Sequence, residues 1–368
     1  MDAKPNKLNI LMFPWLAHGH IFPYLELAKN LSNKNFNIFF CSTPVNLTSI
    51  KLTLEKSQFP ASIHLVELHL PSSPELPPQY HTTKNVPLHL KDKLFQAFQM
   101  SKSTFSDIIC SLKPDILIYD VFQPWAAKHA LSLNIPAIHF ATSGATPYSF
   151  SHHHLTYGWD SPFPHEAIFL RDHERKALQA VVFPDFDKKD EDLVFGHFNL
   201  SCEIVLMRTC RAIEGKYIDY LSELCKKIII PVGSNVKEDN EENDHSEIME
   251  WLSTKKPFST VFISFGSENY LSKDQMKEIA KGLEISNVNF IWIVRFPLGE
   301  KAARDEIGNF SGEDVAKAIN EVVLEETGKE MRIKCAQVSE KMKNEEEDAK
   351  NETAEEITRI CMEYKHKK

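Results

Sequence analysis

LNILMFPWLAHGHIFPYLELAKNL, residues 8–31, is the stretch on which the fold class turns. Its first six residues form a short, largely apolar run, with Asn9 the one polar position, of the kind buried on both faces of a parallel sheet. A tight Gly-containing turn follows, and then Ile21, Tyr24, Leu25, Ala28 and Leu31 recur at helical spacing. A strand passing at once into an amphipathic helix is the opening of a βαβ unit.

The pattern repeats outward from there. Phe36–Cys41 (FNIFFC) is strand-like, and Ser62–Leu70 (SIHLVELHL) places apolar residues at alternate positions. A long helical stretch over 88–112 leads into Asp115–Tyr119 (DILIY). Ala137–Phe140, Glu203–Met207 and Lys227–Ile230 supply further strands. This alternation predicts a doubly wound, Rossmann-like α/β domain over residues 1–233. The polar, acidic stretch 234–247 then reads as a linker.

Residues 248–368 form the expected second domain. A short helix holding Ile248, Met249, Trp251 and Leu252 is stopped by Pro257. Thr260–Phe265 (TVFISF) is a strand, Gly266-Ser267 a turn, and Ser272 through Gln275 a capping box. Phe290–Val294 (FIWIV) is a second buried-type strand. From Glu313 onward only helical pattern remains, with Lys341–Glu355 expected as a solvated helix or frayed tail. Two strands this apolar need neighbours on their edges and cover on both faces, and the sequence supplies too little of either.

Bulk properties narrow the function. The chain has 368 residues with a formal net charge of -9, which argues against a non-specific grip on nucleic acid. Its 7 cysteines are scattered without a CxxC pair, so neither a zinc site nor a disulfide framework is indicated. No run approaches about 18 uninterrupted apolar residues, so no membrane span is expected. The N-terminal apolar run is too short for a signal peptide, and the expected compartment is cytoplasmic. No GxGxxG is present, so a nicotinamide cofactor is not indicated.

Two positions carry candidate chemistry. His20 sits where a strand gives way to a helix, outside the carboxyl end of the strand, where open α/β sheets bind ligands. An imidazole titrating near neutrality suits proton abstraction from a hydroxyl, although for a histidine read on its own an exposed or helix-capping role is the commoner one. His18 is a similar candidate, and spacing does not choose between them. Asp120, ending DILIYD, could accept the other ring N–H of His20 and fix its tautomer. For a lone Asp the commoner role is the N-cap of the next helix. Ser151-His152-His153-His154 is expected as a surface loop rather than a metal site, and Trp125 and Phe122 as core packing.

FPWLAHGHIFPYLELAKNL, PDILIYDVFQPWAA, NIPAIHFATSGA, STVFISFGS and NFIWIVR together resemble successive blocks of plant family-1 UDP-glycosyltransferases. They stand in that family's order, from the N-terminus to about Arg295, and most resemble the branch that extends a sugar chain on a small molecule. The resemblance implies a GT-B-like fold and a UDP-sugar co-substrate with no resident cofactor or metal. It implies an inverting transfer of a hexose, glucose by expectation, to a flavonoid or terpenoid glycoside or another small plant acceptor. It further implies His20 as general base, Asp120 as its carboxylate partner, Thr142 near the donor sugar, and Gly266 and Ser267 at the donor diphosphate. The family's signature box is missing. No Trp follows Trp292, no His follows until His366, and RFPLGEKAA runs directly into RDEIGNFSGEDVAKAINEVV. The alternative expectation is therefore a catalytically inactive, truncated form that keeps acceptor or partner binding.

Overall fold

The computed structural model describes residues 7–56, 61–182, 196–233, 247–266, 271–294 and 311–366. Seven strands form one parallel sheet: β1 (Leu8–Phe13), β2 (Phe36–Ser42), β3 (Ile63–Glu67), β4 (Ile116–Tyr119), β5 (Ala137–Ala141), β6 (Ile204–Met207) and β7 (Ile228–Pro231). Their order is β3-β2-β1-β4-β5-β6-β7. The chain winds outward in one direction from β1 to β3 and then returns to start again at β4, so β1 and β4 meet at the point where the winding reverses. Phe13 pairs with Tyr119, and Tyr119 pairs with His139, which brings the C-terminal ends of β1, β4 and β5 level with one another.

The apolar runs within these strands are explained by cover on both faces. Ile10 and Met12 enter one core cluster with Tyr24, Leu25 and Ala28 of the helix His18–Ser32. Leu11 and Phe13, pointing the other way, enter a second cluster with Phe98 and Phe105. Successive side chains of a strand alternate faces, so a six-residue apolar run serves two helical layers at once. The expected helix over 88–112 is two helices, Lys91–Met100 and Lys102–Leu112, joined at Ser101.

The chain divides into two compact units, one of residues 1–235 with 341–368 and the other of 236–340. Residues 341–368, expected with the second domain, thus lie with the first. The linker expected over 234–247 lies outside the described residues except for Glu247, which opens the helix Glu247–Ser253. Residues 341–355, expected as a solvated helix or frayed tail, are helical and largely solvated, and the turns of the helix Glu326–His366 beyond them are docked. Ile357, Ile360 and Cys361 are buried in the β1-side core, and Lys365 pairs with Asp115 at 2.7 Å. The charged composition of 341–355 hid this, because its buried positions, Ala349, Thr353 and Ala354, are small and spaced among glutamates.

The second unit holds β8 (Thr260–Ile263) and β9 (Asn289–Trp292), paired in parallel, with the helices Lys273–Ser286 and Gly312–Val323. The expected capping box forms: Gln275 N–H donates to Ser272 Oγ at 3.2 Å and Ser272 N–H to Gln275 Oε1 at 3.0 Å. The strands are only partly covered among the described residues: Val261, Ile263, Ile291 and Trp292 are half-buried, whereas Phe262 is 64% exposed and Phe290 42%.

The histidine run is a correction to the surface-loop reading. It belongs to the helix Ala145–Tyr157, and His152, His153 and His154 are all buried. His153 Nδ1 meets Tyr220 Oη at 2.7 Å, and His154 stacks on Trp159 with ring centroids 4.6 Å apart. Here the histidines act as aromatic rings in a core cluster, a use that polarity alone does not announce.

Candidate functional site

Three neighbouring strands each deliver one residue to the same place. β1 ends at Phe13, and the turn through Ala17 starts a helix that carries His20 in its first turn, with His20 N–H donating to Ala17 O at 2.9 Å. β4 ends at Tyr119, so Asp120 is the next residue out. β5 ends at Ala141, so Thr142 is the next one out there. The crevice lies outside the carboxyl ends of the strands at the reversal point, where open α/β sheets bind ligands.

The geometry is specific. His20 Nδ1 lies 2.8 Å from Asp120 Oδ2 and 3.2 Å from Thr142 Oγ1. Side-chain exposure is 23% for His20 and 1% for Asp120, so the imidazole reaches solvent while its partner does not. Burying a carboxylate is costly unless hydrogen bonds compensate it. Trp15 N–H donates to Oδ2 at 3.0 Å and Val121 N–H to Oδ1 at 2.7 Å. A carboxylate that is buried, saturated by backbone donors and directed at an imidazole is a fixed acceptor rather than a helix cap. The cap position of the helix Pro124–Ser132 is held by Gln123 instead. His18, the competing candidate, contacts Phe22 with ring centroids 5.0 Å apart on the same helix.

Around the pair stands an aromatic wall. Phe122 lies 5.8 Å from the His20 ring, centroid to centroid, and packs on Trp15 at 5.0 Å, which in turn meets Phe95 at 5.8 Å. Phe122 and Phe95 are each 37% exposed, so Phe122 belongs to the crevice rather than to the core as expected. Trp125 does pack in the core, against Phe13, Phe98 and Phe105.

Several site residues gave no sequence signal. Glu214, from the helix Arg211–Cys225, accepts N–H bonds from Ala145 at 2.8 Å and Thr146 at 2.9 Å, closing the helix N-terminus that follows Thr142. Burial would raise its carboxyl. Hydrogen bonds from Thr146, Thr209 and the backbone of Ala145 outweigh that and hold it below the usual carboxylate range. A Cβ at Gly144 would press on the Glu214 carboxylate, so a larger residue there would displace that side chain. No local pattern marks a carboxylate arriving from another helix 70 residues away in the chain.

Gly266 lies in the second unit with φ +79°, a left-handed turn that glycine adopts readily, and Ser267 lies outside the described residues. Among the described residues no cluster of histidine, cysteine and carboxylate side chains could hold a metal ion, and no helix is long and apolar enough to cross a membrane.

A doubly wound parallel domain with an imidazole–carboxylate pair at its reversal point is the architecture of the first half of a GT-B glycosyltransferase. A family model described as the glycosyltransferase N-terminal domain matches residues 6–229. The chain is 47% identical over 301 residues to beta-D-glucosyl crocetin beta-1,6-glucosyltransferase of Gardenia jasminoides, covering 80% of this chain and 67% of that one. It is 35% identical to UDP-glucosyltransferase 29 of Panax ginseng over 451 residues, covering 99% of each. A solved structure of a UDP-glucosyltransferase from Polygonum tinctorium capable of glucosylating indoxyl shares the fold, with TM-score 0.74 at 19% identity, covering 98% of this chain and 100% of that one. The chain belongs to the plant family-1 UDP-glycosyltransferases, and its fold is GT-B. It spans about two thirds of the length of several curated relatives that it matches, 67% in the Gardenia case.

Proposed function

We propose that this chain is a UDP-sugar-dependent glycosyltransferase of the cytoplasm, with His20 as the base that activates the hydroxyl of a small plant acceptor. The observation that carries the reading is the 2.8 Å contact between His20 Nδ1 and a buried Asp120. With Nδ1–H donated to Asp120, the lone pair lies on Nε2, which takes the acceptor proton. The charge that develops on the ring is stabilised by the carboxylate. The acceptor oxygen then attacks the anomeric carbon, the bond to UDP breaks with its electrons, and the configuration inverts. Phe122 and Phe95 offer an apolar wall to a flavonoid or terpenoid glycoside. The sugar is expected to be a hexose, glucose first. In this reading Thr142 contacts the donor sugar, and Gly266 and Ser267 serve the diphosphate through backbone N–H groups.

A second reading concerns this polypeptide in particular: it binds an acceptor but does not transfer sugar. The sequence after Trp292 favours it. The ginseng alignment runs over 451 positions against 368 residues here, so at least 83 positions of that alignment face a gap in this chain. Each preorganised donor to a developing negative charge is worth about 3–4 kcal/mol, so losing the family's uracil, phosphate and sugar ligands together removes turnover. Isothermal calorimetry with UDP and UDP-glucose, beside a transfer assay on a panel of flavonoid and terpenoid glycosides, separates the two. Transfer of glucose sustains the first reading. Acceptor binding with no UDP binding sustains the second, and millimolar or tighter UDP binding overturns it.

A further inference from the structure

Gln123 is a further polar side chain buried at the reversal point, and the mechanism above does not use it. It is fully buried, and its Nε2 donates to the carbonyl of Phe13, the last residue of β1. Its backbone N–H reaches Asp120 O at 3.4 Å, and its own carbonyl accepts from Ala126 N–H at 3.0 Å to start the next helix. One residue is thus held to β1, to the end of β4 and to the helix Pro124–Ser132. Its other amide atom, Oε1, is buried with no hydrogen-bond partner among the described residues. Desolvating an unpartnered amide oxygen is unfavourable, and a methionine or leucine would fill the same space without that cost. What only the amide supplies is the bond to Phe13.

That bond bears on the catalytic pair. Regular pairing of β1 with β4 stops at Phe13↔Tyr119. Beyond it, the two exits are tied twice through side chains: Gln123 of the β4 exit holds Phe13, and Asp120 of the β4 exit holds Trp15 N–H. Oδ2 of Asp120 is shared between Trp15 N–H at 3.0 Å and His20 Nδ1 at 2.8 Å. Any slip of the Phe13–Trp15 segment moves that oxygen's first donor and so the aim of the carboxylate at His20. From this geometry we infer that Gln123 is a positioning residue for the His20–Asp120 pair, an added side-chain rung that keeps β1 and β4 in register where the sheet opens. The inference rests on the reading of His20 as base.

The test reads the pair directly in the full-length chain. Imidazole NMR of histidine-labelled protein, with His20→Ala as the assignment control, shows the Nδ1–H proton held by Asp120 as a downfield resonance. Gln123→Met keeps the length and volume but removes the donor. It is expected to move that resonance upfield and to speed its exchange with water about tenfold or more. Ile357→Ala, a remote core change in the C-terminal helix, lowers stability and is expected to leave the resonance in place. Gln123→Met with an unmoved resonance overturns the inference, as does absence of the resonance from the unsubstituted protein. Should Gln123→Met not fold, Gln123→Asn, one methylene short of Phe13, gives the same reading. Since no arm needs turnover, failure of His20 as base in a transfer assay is distinguishable from failure of this inference.

Discussion

At the scale of single residues, the chemistry lies in how Asp120 is held. Its two oxygens take two backbone N–H groups and one imidazole nitrogen, so it has little freedom to reorient. If the chain turns over, His20→Ala is expected to abolish transfer while leaving the melting temperature within a few degrees, since His20 is part-exposed. Retained transfer removes His20 from its role. Asp120→Asn is expected to lower kcat by about 10²–10⁴-fold, because an amide can present its N–H to Nδ1 and select the wrong tautomer. Glu214 gives a stability test that needs no activity. Its folded carboxyl titrates below the unfolded one, so the stabilisation is full above the ordinary carboxylate range and is lost as pH falls through the folded value. Comparing urea midpoints from neutral to acid pH, Glu214→Gln is expected to be less stable at neutral pH and to show a shallower acid decline. Parallel curves for the two proteins would remove that role.

At the scale of elements, buried histidines pack around residues 197–198, with His152 of the helix Ala145–Tyr157 against Phe198 at 4.9 Å and His139 of β5 against His197 at 4.8 Å. Burial together with the neighbouring His197 lowers His152 to about 3, and burial lowers His197 to about 4. Both are neutral in the folded protein near neutrality. As pH falls below about 6.5, the unfolded state takes up protons that the folded state refuses, so stability declines toward pH 4. Thermal melts at pH 7 and pH 5 are expected to show that decline, lessened in His197→Phe. A melt that does not change between the two excludes it. The C-terminal helix makes a second prediction at this scale. Ile360 is 1% exposed against the β1-side core, so Ile360→Ala is expected to cost about 2–5 kcal/mol in urea unfolding, as core truncations do. A cost near zero would mean that the helix is not docked.

At the scale of the whole molecule, the two units differ in what they bury. The first encloses a sheet covered on both faces, whereas β8 and β9 leave Phe262, Phe290 and Ile293 exposed. Local stability follows apolar burial, so limited proteolysis is expected to cut within 236–340 first. The C-terminal segment from Lys341 should then stay with the N-terminal fragment without a covalent link, through Ile357, Ile360 and the Lys365–Asp115 pair. Co-elution of the two fragments in gel filtration checks this. Release of the C-terminal piece, or equal resistance of both units, contradicts it.

Much was legible because it is local. Apolar runs such as LNILMF and IVLM have few places to go other than the middle of a parallel sheet, and the spacing of Ile21, Tyr24, Leu25 and Ala28 marks a helix face without reference to anything distant. His20 and Asp120 were visible as residues at strand ends, each with a plain alternative. What chose between the alternatives was strand order. Placing β4 beside β1 puts two side chains 100 positions apart within hydrogen-bond reach, and no periodicity encodes which strands will be neighbours. The same holds for Glu214 on the helix after Thr142, for Gln123 on Phe13, and for the charged helix whose last turns complete the first core. Sequence by itself determined the elements and the list of reactive groups, because those depend on near neighbours. Only tertiary structure decided which groups meet, because burial and hydrogen bonding between distant segments exist only once the sheet has chosen its order.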